Sequence, residues 1–293
     1  MSTASAVPTQ ASQEDTHSTS EQATLGPRRR KSSSRSQSAA STTQHSRSFA
    51  LPVIVGIVIL ALWWALAEFR LVSALLLPRP EAVLDMLVEG LGEGVWWPHV
   101  FVTLQEVAVG FIAGSVVGIV VGAVFAFSTI LQKMFHPYIL ALMCMPKIAI
   151  APLLIVALGY GLLPKVIIAA LLAFFPVMTS AIAGLTNVDP DELNLLKSVQ
   201  ANRWQELRYL RIPNSLSYIF PSFDVAIISA LLGAVAAELV GAQAGLGYLI
   251  STAQAYGDVP TMYGVFIILA AIGVTLRMLV VLGRKALPRS FNA

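Results

Sequence analysis

Residues 101–129 read FVTLQEVAVGFIAGSVVGIVVGAVFAFST, an almost wholly apolar run in which Glu106 is the single charged residue. The run is longer than the roughly 20 residues a helix needs to cross the hydrocarbon core of a bilayer, so it predicts a transmembrane helix. Gly110, Gly114, Gly118 and Gly122 recur at every fourth position. On a helix they share one face and leave it smooth, which lets a second backbone come close. Lipid offers little hydrophobic drive for helix association, so a face of this kind predicts a packed bundle. The fold class that follows is all-α and integral to the membrane.

The rest of the chain agrees with that reading. Hydrophobic residues make up 56% and charged residues 12%, with a mean hydropathy of +0.73, far from the balance of a soluble domain. Further apolar runs at 49–69, 133–158, 162–185, 216–241 and 260–283 bring the expected crossings to six. The fifth repeats the small-residue device with Ala226, Ala230 and Ala234, and again with Gly233, Ala237 and Gly241. Pro146, Pro152, Pro164 and Pro176 fall in or beside the third and fourth runs, where a helix can bend. Residues 70–100 carry Arg79, Glu81, Asp85, Glu89 and Glu93 among Leu and Val, and predict short amphipathic helices outside the membrane. They open on Leu77-Pro78-Arg79-Pro80, a stop and restart signal.

Residues 1–48 are rich in Ser, Thr, Gln and Ala and predict a disordered cytoplasmic tail ahead of a permease domain at 49–293. The polar stretch is too long for a signal peptide and no A-x-A site follows the first apolar run. The net charge of +3 and pI near 9.1 come from basic residues in this tail and in the loops, which speaks for membrane topology rather than nucleic acid. Cys144 is the only cysteine, which excludes an intramolecular disulfide or a cysteine-based metal site. His17, His45, His99 and His136 are scattered, and no paired carboxylates or Ser/His/Asp set stands at a membrane surface. No metal, cofactor or catalytic residue is therefore expected.

With the tail inside, six crossings put the tail's basic residues, Lys133, Lys197, Arg203, Arg208, Arg211, Arg284, Lys285 and Arg289 on one side. Arg70, Arg79 and Lys165 fall on the other. That asymmetry predicts both termini in the cytoplasm.

The long inside loop, 188–213, is VDPDELNLLKSVQANRWQELRYLRIP. Asp189 is a good N-cap, Pro190 suits the first helical position, and Glu192 completes a capping box. Leu195, Leu196 and Val199 form an apolar face, and Asn202 with Gln205 marks a second start that Pro213 is expected to close. The loop thus predicts two short amphipathic helices over 190–212, joined at Gln200-Ala201, with an apolar face that needs a protein partner.

The loop resembles the cytoplasmic signature E-A-A-x3-G-x9-I-x-L-P of the permeases of binding-protein-dependent ATP-binding-cassette importers. Ala201, Arg203 and Trp204 match its frequent G-A-S-R-W form, and Ile212-Pro213 matches its end. Gln200 stands where the family usually has glycine, and Leu195-Leu196-Lys197 replaces Glu-Ala-Ala. Leu77-Pro78-Arg79-Pro80, Met145 to Leu153, Val188-Asp189-Pro190 and Glu238 followed by Gly245-Leu246-Gly247-Tyr248-Leu249-Ile250 look like the nitrate, sulfonate and taurine branch. The resemblance runs from about residue 50 to the end.

It implies a six-helix type I importer transmembrane domain and a second permease copy, as a homodimer. It also implies two ATPase subunits gripping Lys197, Gln200, Ala201, Asn202, Arg203 and Trp204, and a solute-binding protein docking outside. The chain has no G-x4-G-K-[ST] phosphate loop, so ATP chemistry is expected in a separate subunit.

Ionisable groups within spans usually face the bundle interior or water. Lys147 and Glu238 lie deepest and are the pathway or gating candidates, with a structural ion pair as the alternative. Glu106 and Asp224 lie close to span ends, and interfacial water is the expected partner. A secondary transporter is the competing class, but it would normally have more spans or an internal repeat and no projecting helix pair.

Overall fold

The sequence dictates long helices broken only where proline, glycine or a capping side chain interrupts them. The computed structural model describes residues 41–285, and every regular element among them is helical. The first helix, α1 (Ser41–Glu68), begins ahead of the tail boundary expected at residue 48; the rest of the tail and residues 286–293 lie outside the described residues. The chain divides into two units, one ending at Gly56 and the other running from Ile57.

In the second unit, α2 (Pro80–Gly92) starts on Arg79 in extended backbone with proline at its first position. It is followed by α3 (Trp97–Phe127) and α4 (Thr129–Cys144), where the Ser128 side chain accepts from the Leu131 amide at 3.2 Å. Met145 is extended, as the residue before a proline prefers, and a 3-10 turn at Lys147–Ile150 leads into α5 (Ala151–Leu158). Then come α6 (Leu162–Thr186), α7 (Pro190–Ser198) and α8 (Arg203–Glu206), which runs through a π turn at Leu207–Arg211 into α9 (Ile212–Val240). The chain closes with α10 (Leu246–Tyr256) and α11 (Val259–Lys285).

Among the described residues, four helices are long and apolar enough to span a membrane: Trp97–Phe127, Leu162–Thr186, Arg203–Val240 and Val259–Arg284. They correspond to the second, fourth, fifth and sixth expected crossings. The stretch read as a third crossing is a pair of helices, Ile130–Cys144 and Lys147–Leu158, that together are apolar enough to span but are bent by 80° at Met145-Pro146. Pro146 supplies no amide donor and its ring crowds the preceding turn, so the helix breaks there. The first expected crossing corresponds to the shorter apolar helix Pro52–Glu68.

Pro213 does not close the second loop helix, because Arg203–Val240 is continuous. The π turn just ahead of it leaves carbonyls outside the regular ladder, so a missing amide donor costs little there. Residues 242–259, between the fifth and sixth expected crossings, contain α10, which packs back on the bundle.

The core is a seam of small residues between α3, α6 and α9. Ala169 and Ala173 of α6 and Ala226, Ala230 and Ala234 of α9 are wholly buried. Gly110, Gly114, Gly118 and Gly122 all face α6. A Cβ on Gly114 would collide with the Ala170 carbonyl oxygen, and one on Gly122 would sit 2.7 Å from the Ala181 Cβ. Backbone approach this close lets dispersion and packing hold the helices where hydrophobic drive is absent. A second cluster caps one end of the bundle, where Trp96 packs with Val100, Leu246, Ile250 and Val265.

Candidate functional site

Two constellations stand at opposite ends of α6. At its C-terminal end the loop helices project. Asp189 accepts from the Asp191 amide at 2.8 Å and starts α7. Asn202 and Gln205 cap α8 reciprocally, through Gln205 N to Asn202 Oδ1 at 2.9 Å and Asn202 N to Gln205 Oε1 at 2.8 Å. Between them the Ala201 amide donates to the Leu196 carbonyl and the Gln200 amide to the Lys197 carbonyl, both at 3.0 Å. This doubly bonded C-terminal closure requires a left-handed residue, and Gln200 is that residue, with φ at 55°. The glycine usual in the resembling motif fits the same conformation without steric cost.

Lys197, Gln200, Asn202, Arg203 and Trp204 are all exposed and Ala201 is half-buried. The apolar face read from the sequence splits. Leu195 and Val199 point outward at 66% and 68% exposure, with Trp204 at 65%, whereas Leu193 and Leu196 turn towards the protein.

The pair is anchored rather than loosely attached. A helix C-terminus leaves carbonyls without intrahelical donors, and side chains where the π turn meets α9 supply them. Arg211 Nη1 donates to the Leu185 carbonyl at 2.6 Å, while its Nε donates to Glu206 Oε1 at 2.7 Å. Asn214 Nδ2 donates to the carbonyls of Gly184 at 2.7 Å and Asn187 at 2.8 Å. A cavity of about 600 Å³ lies between the loop helices and the ends of α3 and α6, lined by Lys197, Arg203, Glu206 and Arg211 among others. Arg211 entered the sequence reading only as a charge and Asn214 not at all. Their position flanking Pro213 was the available signal.

At the other end of α6 charges are buried. Lys165 Nζ lies 3.0 Å from Glu106 Oε1, with side-chain exposures of 5% and 0%. The contact is close but off hydrogen-bond geometry, and neither Glu106 oxygen has a donor among the described residues. Glu238 sits beside them, 1% exposed. It accepts from Thr103 Oγ1 at 2.7 Å and from the Gly247 amide at 2.6 Å, and Thr103 Oγ1 in turn accepts from the Leu246 amide at 2.8 Å. The first turn of α10 is thereby pinned to α3 and α9. Gly245 and Gly247 are small because a Cβ on either would run into Glu238.

Glu106 therefore does not reach interfacial water; its neighbours are protein. Lys165, counted from sequence as a loop charge, is its buried counter-ion. Asp224 is half-buried and lies in the middle of the continuous helix Arg203–Val240.

Lys147 and Glu238 occupy separate places. Lys147 Nζ donates to the Met143 carbonyl at 3.0 Å, closing the end of α4, and stands 4.6 Å over the Phe175 ring. No ion pair joins it to Glu238 among the described residues. No cluster of His, Cys, Asp and Glu suited to a metal occurs among the described residues.

A bundle of long apolar helices packed along small residues is the architecture of an integral membrane protein. The chain belongs to the family of binding-protein-dependent transport system inner membrane components, whose model matches residues 114–292. It is a multi-pass inner-membrane permease subunit, of a class whose members are not themselves enzymes.

Among its relatives, the riboflavin transport system permease protein of Chloroflexus aurantiacus is 31% identical, over 82% of this chain and 89% of that protein. The taurine transport system permease protein of Escherichia coli is 29% identical, over 83% and 89%. The fold is similar to that of a chain of the methionine ABC transporter in an inward-facing crystal form. That match has a TM-score of 0.59 and 18% identity, covering 66% of this chain and 96% of the other.

Proposed function

We propose that this chain forms the translocation pathway for a small solute of the nitrate, sulfonate or taurine type, and that α7 and α8 couple it to a separate ATPase subunit. The observation that carries the coupling role is the anchoring of an exposed, doubly capped helix pair to the end of α6 by Arg211 and Asn214. A load applied at Gln200-Ala201 passes through hydrogen-bonded, helical segments into α6 and α9 rather than dissipating in a loop. The outward Leu195, Val199 and Trp204 offer apolar area that water covers poorly and a protein cleft would cover well.

In this reading both termini and α7–α8 are cytoplasmic. Burial of Lys165 leaves Arg70 and Arg79 as the basic residues of the opposite side, which sharpens the charge asymmetry behind that orientation. A second copy of the chain completes the pathway, lipid surrounds the pair, and an extracytoplasmic solute-binding protein delivers the solute. The relatives named above transport riboflavin and taurine, and the sulfonate, taurine and nitrate class follows from the resembling motifs at 77–80, 145–153 and 245–250.

The test is Ala201→Asp, which places a charge at the proposed contact while leaving the helix caps intact. Expected is a permease recovered normally from the membrane, with uptake reduced at least tenfold and the ATPase subunit lost or its activity uncoupled, because an unpaired charge is costly to desolvate. Normal uptake with a normally bound ATPase would move the coupling role away from this turn.

A further inference from the structure

Helix α11 carries one charged residue before Arg284 and Lys285 at its end, and that residue is Arg277. It is exposed and makes no ion pair among the described residues. An arginine within a span is costly unless its charge reaches water or a polar partner, so its side chain points to a compensating group at the membrane interface. Seven residues separate Arg277 from Arg284, which puts both on nearly the same helix face and about 10 Å apart along the axis.

On that same face, one and two turns before Arg277, lie Gly273 and Ala270. They form the floor of an apolar groove of about 450 Å³, whose other wall is α9 with Ile228, Leu232 and Val235. Glycine and alanine leave the floor low, and a Cβ on Gly273 would lie in ordinary contact with the Leu231 side chain, at 3.4 Å. Among the described residues, Arg277 is the only charged one lining the groove.

We propose that this groove is a binding site for an anionic phospholipid, its phosphate held by Arg277 and one acyl chain lying along Gly273 and Ala270 between α9 and α11. The layout matches the ligand's own division, a cationic mouth next to a strip that offers nothing but apolar surface. The guanidinium, with planar paired donors, suits a phosphate better than a point charge does. Arg277 lies roughly two turns short of the helix end, a depth from which its long side chain reaches the headgroup level. The site draws on the inner leaflet, where anionic lipid is concentrated, and to that extent rests on the cytoplasmic orientation of the end of α11 proposed above.

The experiment is native mass spectrometry of the full-length chain with its co-purifying subunits. The complex is delipidated and then offered phosphatidylglycerol or phosphatidylcholine of identical acyl chains. Phosphatidylglycerol should be retained in preference to phosphatidylcholine. Arg277→Gln should lower its retention to the phosphatidylcholine level, Arg277→Lys should keep most of it, and Gly273→Leu should lower retention of both lipids by filling the groove.

Equal retention of the two lipids by the unaltered protein would overturn the proposal, as would full phosphatidylglycerol retention by Arg277→Gln. Loss of the second permease copy from Arg277→Gln, with lipid retention unchanged, would also overturn it by making the groove a protein interface. Impermeant labelling of a cysteine introduced at residue 284 in intact cells reads the orientation separately. Labelling there would sink the topology, while the lipid measurement would still decide the site.

Discussion

The two ends of α6 handle polar groups in opposite ways. At the end near Leu185, side chains stay at the surface and spend their hydrogen bonds on backbone carbonyls that the helix cannot satisfy itself. At the end near Lys165, about 30 Å away along the helix axis, charges are sealed from solvent and lean on one another. The first arrangement tolerates change because water can replace a lost partner. The second does not, because a stranded buried charge has nothing to turn to. Damage at the Lys165 end should therefore fall on folding, and damage at the Leu185 end on transport.

The largest expected effect comes from Lys165→Met. It leaves Glu106 and Glu238 buried side by side without a cation, and removing one partner of a buried pair costs about 3–5 kcal/mol. Folded protein recovered from the membrane should fall severely. Adding Glu106→Gln removes the stranded charge and should restore much of the recovery. Glu238 needs no equivalent change, since Thr103 and the Gly247 amide still bond it. If Lys165→Met is recovered normally, or the second substitution gives no rescue, the pair is not what holds this end together and the contrast between the two ends fails.

Next in size is Gly114→Leu, between the two ends. The added side chain starts where the Ala170 carbonyl stands, and neither helix backbone can give way without disturbing the seam. Overpacking in a well-filled core costs about 1–3 kcal/mol, and a backbone obstruction falls at the upper end of that range. Uptake and recovery should both drop. Unchanged values would mean that α3 and α6 can separate at this level without loss.

The contrast also accounts for what could be read from the chain alone. The glycine ladder of α3 and the caps at Asp189, Asn202 and Gln205 are local patterns, with cause and effect within a few residues of each other. They were legible for that reason. The pairing of Glu106 with Lys165 joins different helices, and no periodicity announces it; sequence distance places Glu106 near a span end and says nothing of what covers it. The anchoring by Arg211 and Asn214 depends on how α6 and α9 meet. Pro213 has the local meaning of a helix stop, which the π turn ahead of it overrides. The 80° bend at Pro146 was signalled by the proline, but not its size. Helix α10 carries no local signal of its place in the bundle: Gly245 and Gly247 make room for Glu238, which lies on another helix.

The smallest effect is expected at Gln200, and it tests the permissive side of the comparison. A left-handed backbone costs a residue with a Cβ about 1–2 kcal/mol, which glycine avoids. Glycine gives back roughly 0.5–1 kcal/mol of that through its greater freedom in the unfolded chain, so the net gain lies between about 0 and 1.5 kcal/mol. Gln200→Gly should leave uptake unchanged, because the closure of α7 is made by backbone amides and not by the glutamine side chain. Hydrogen exchange is the sensitive readout. The amides of Gln200 and Ala201, which donate to Lys197 and Leu196, should exchange more slowly in the glycine variant as the turn relaxes. Faster exchange would mean that the glutamine side chain stabilises the turn in a way its exposed position does not reveal. Slower exchange combined with lost uptake would be more telling, since it would separate the rigidity of the turn from its function and make the Gln200 side chain itself part of the surface that a partner reads.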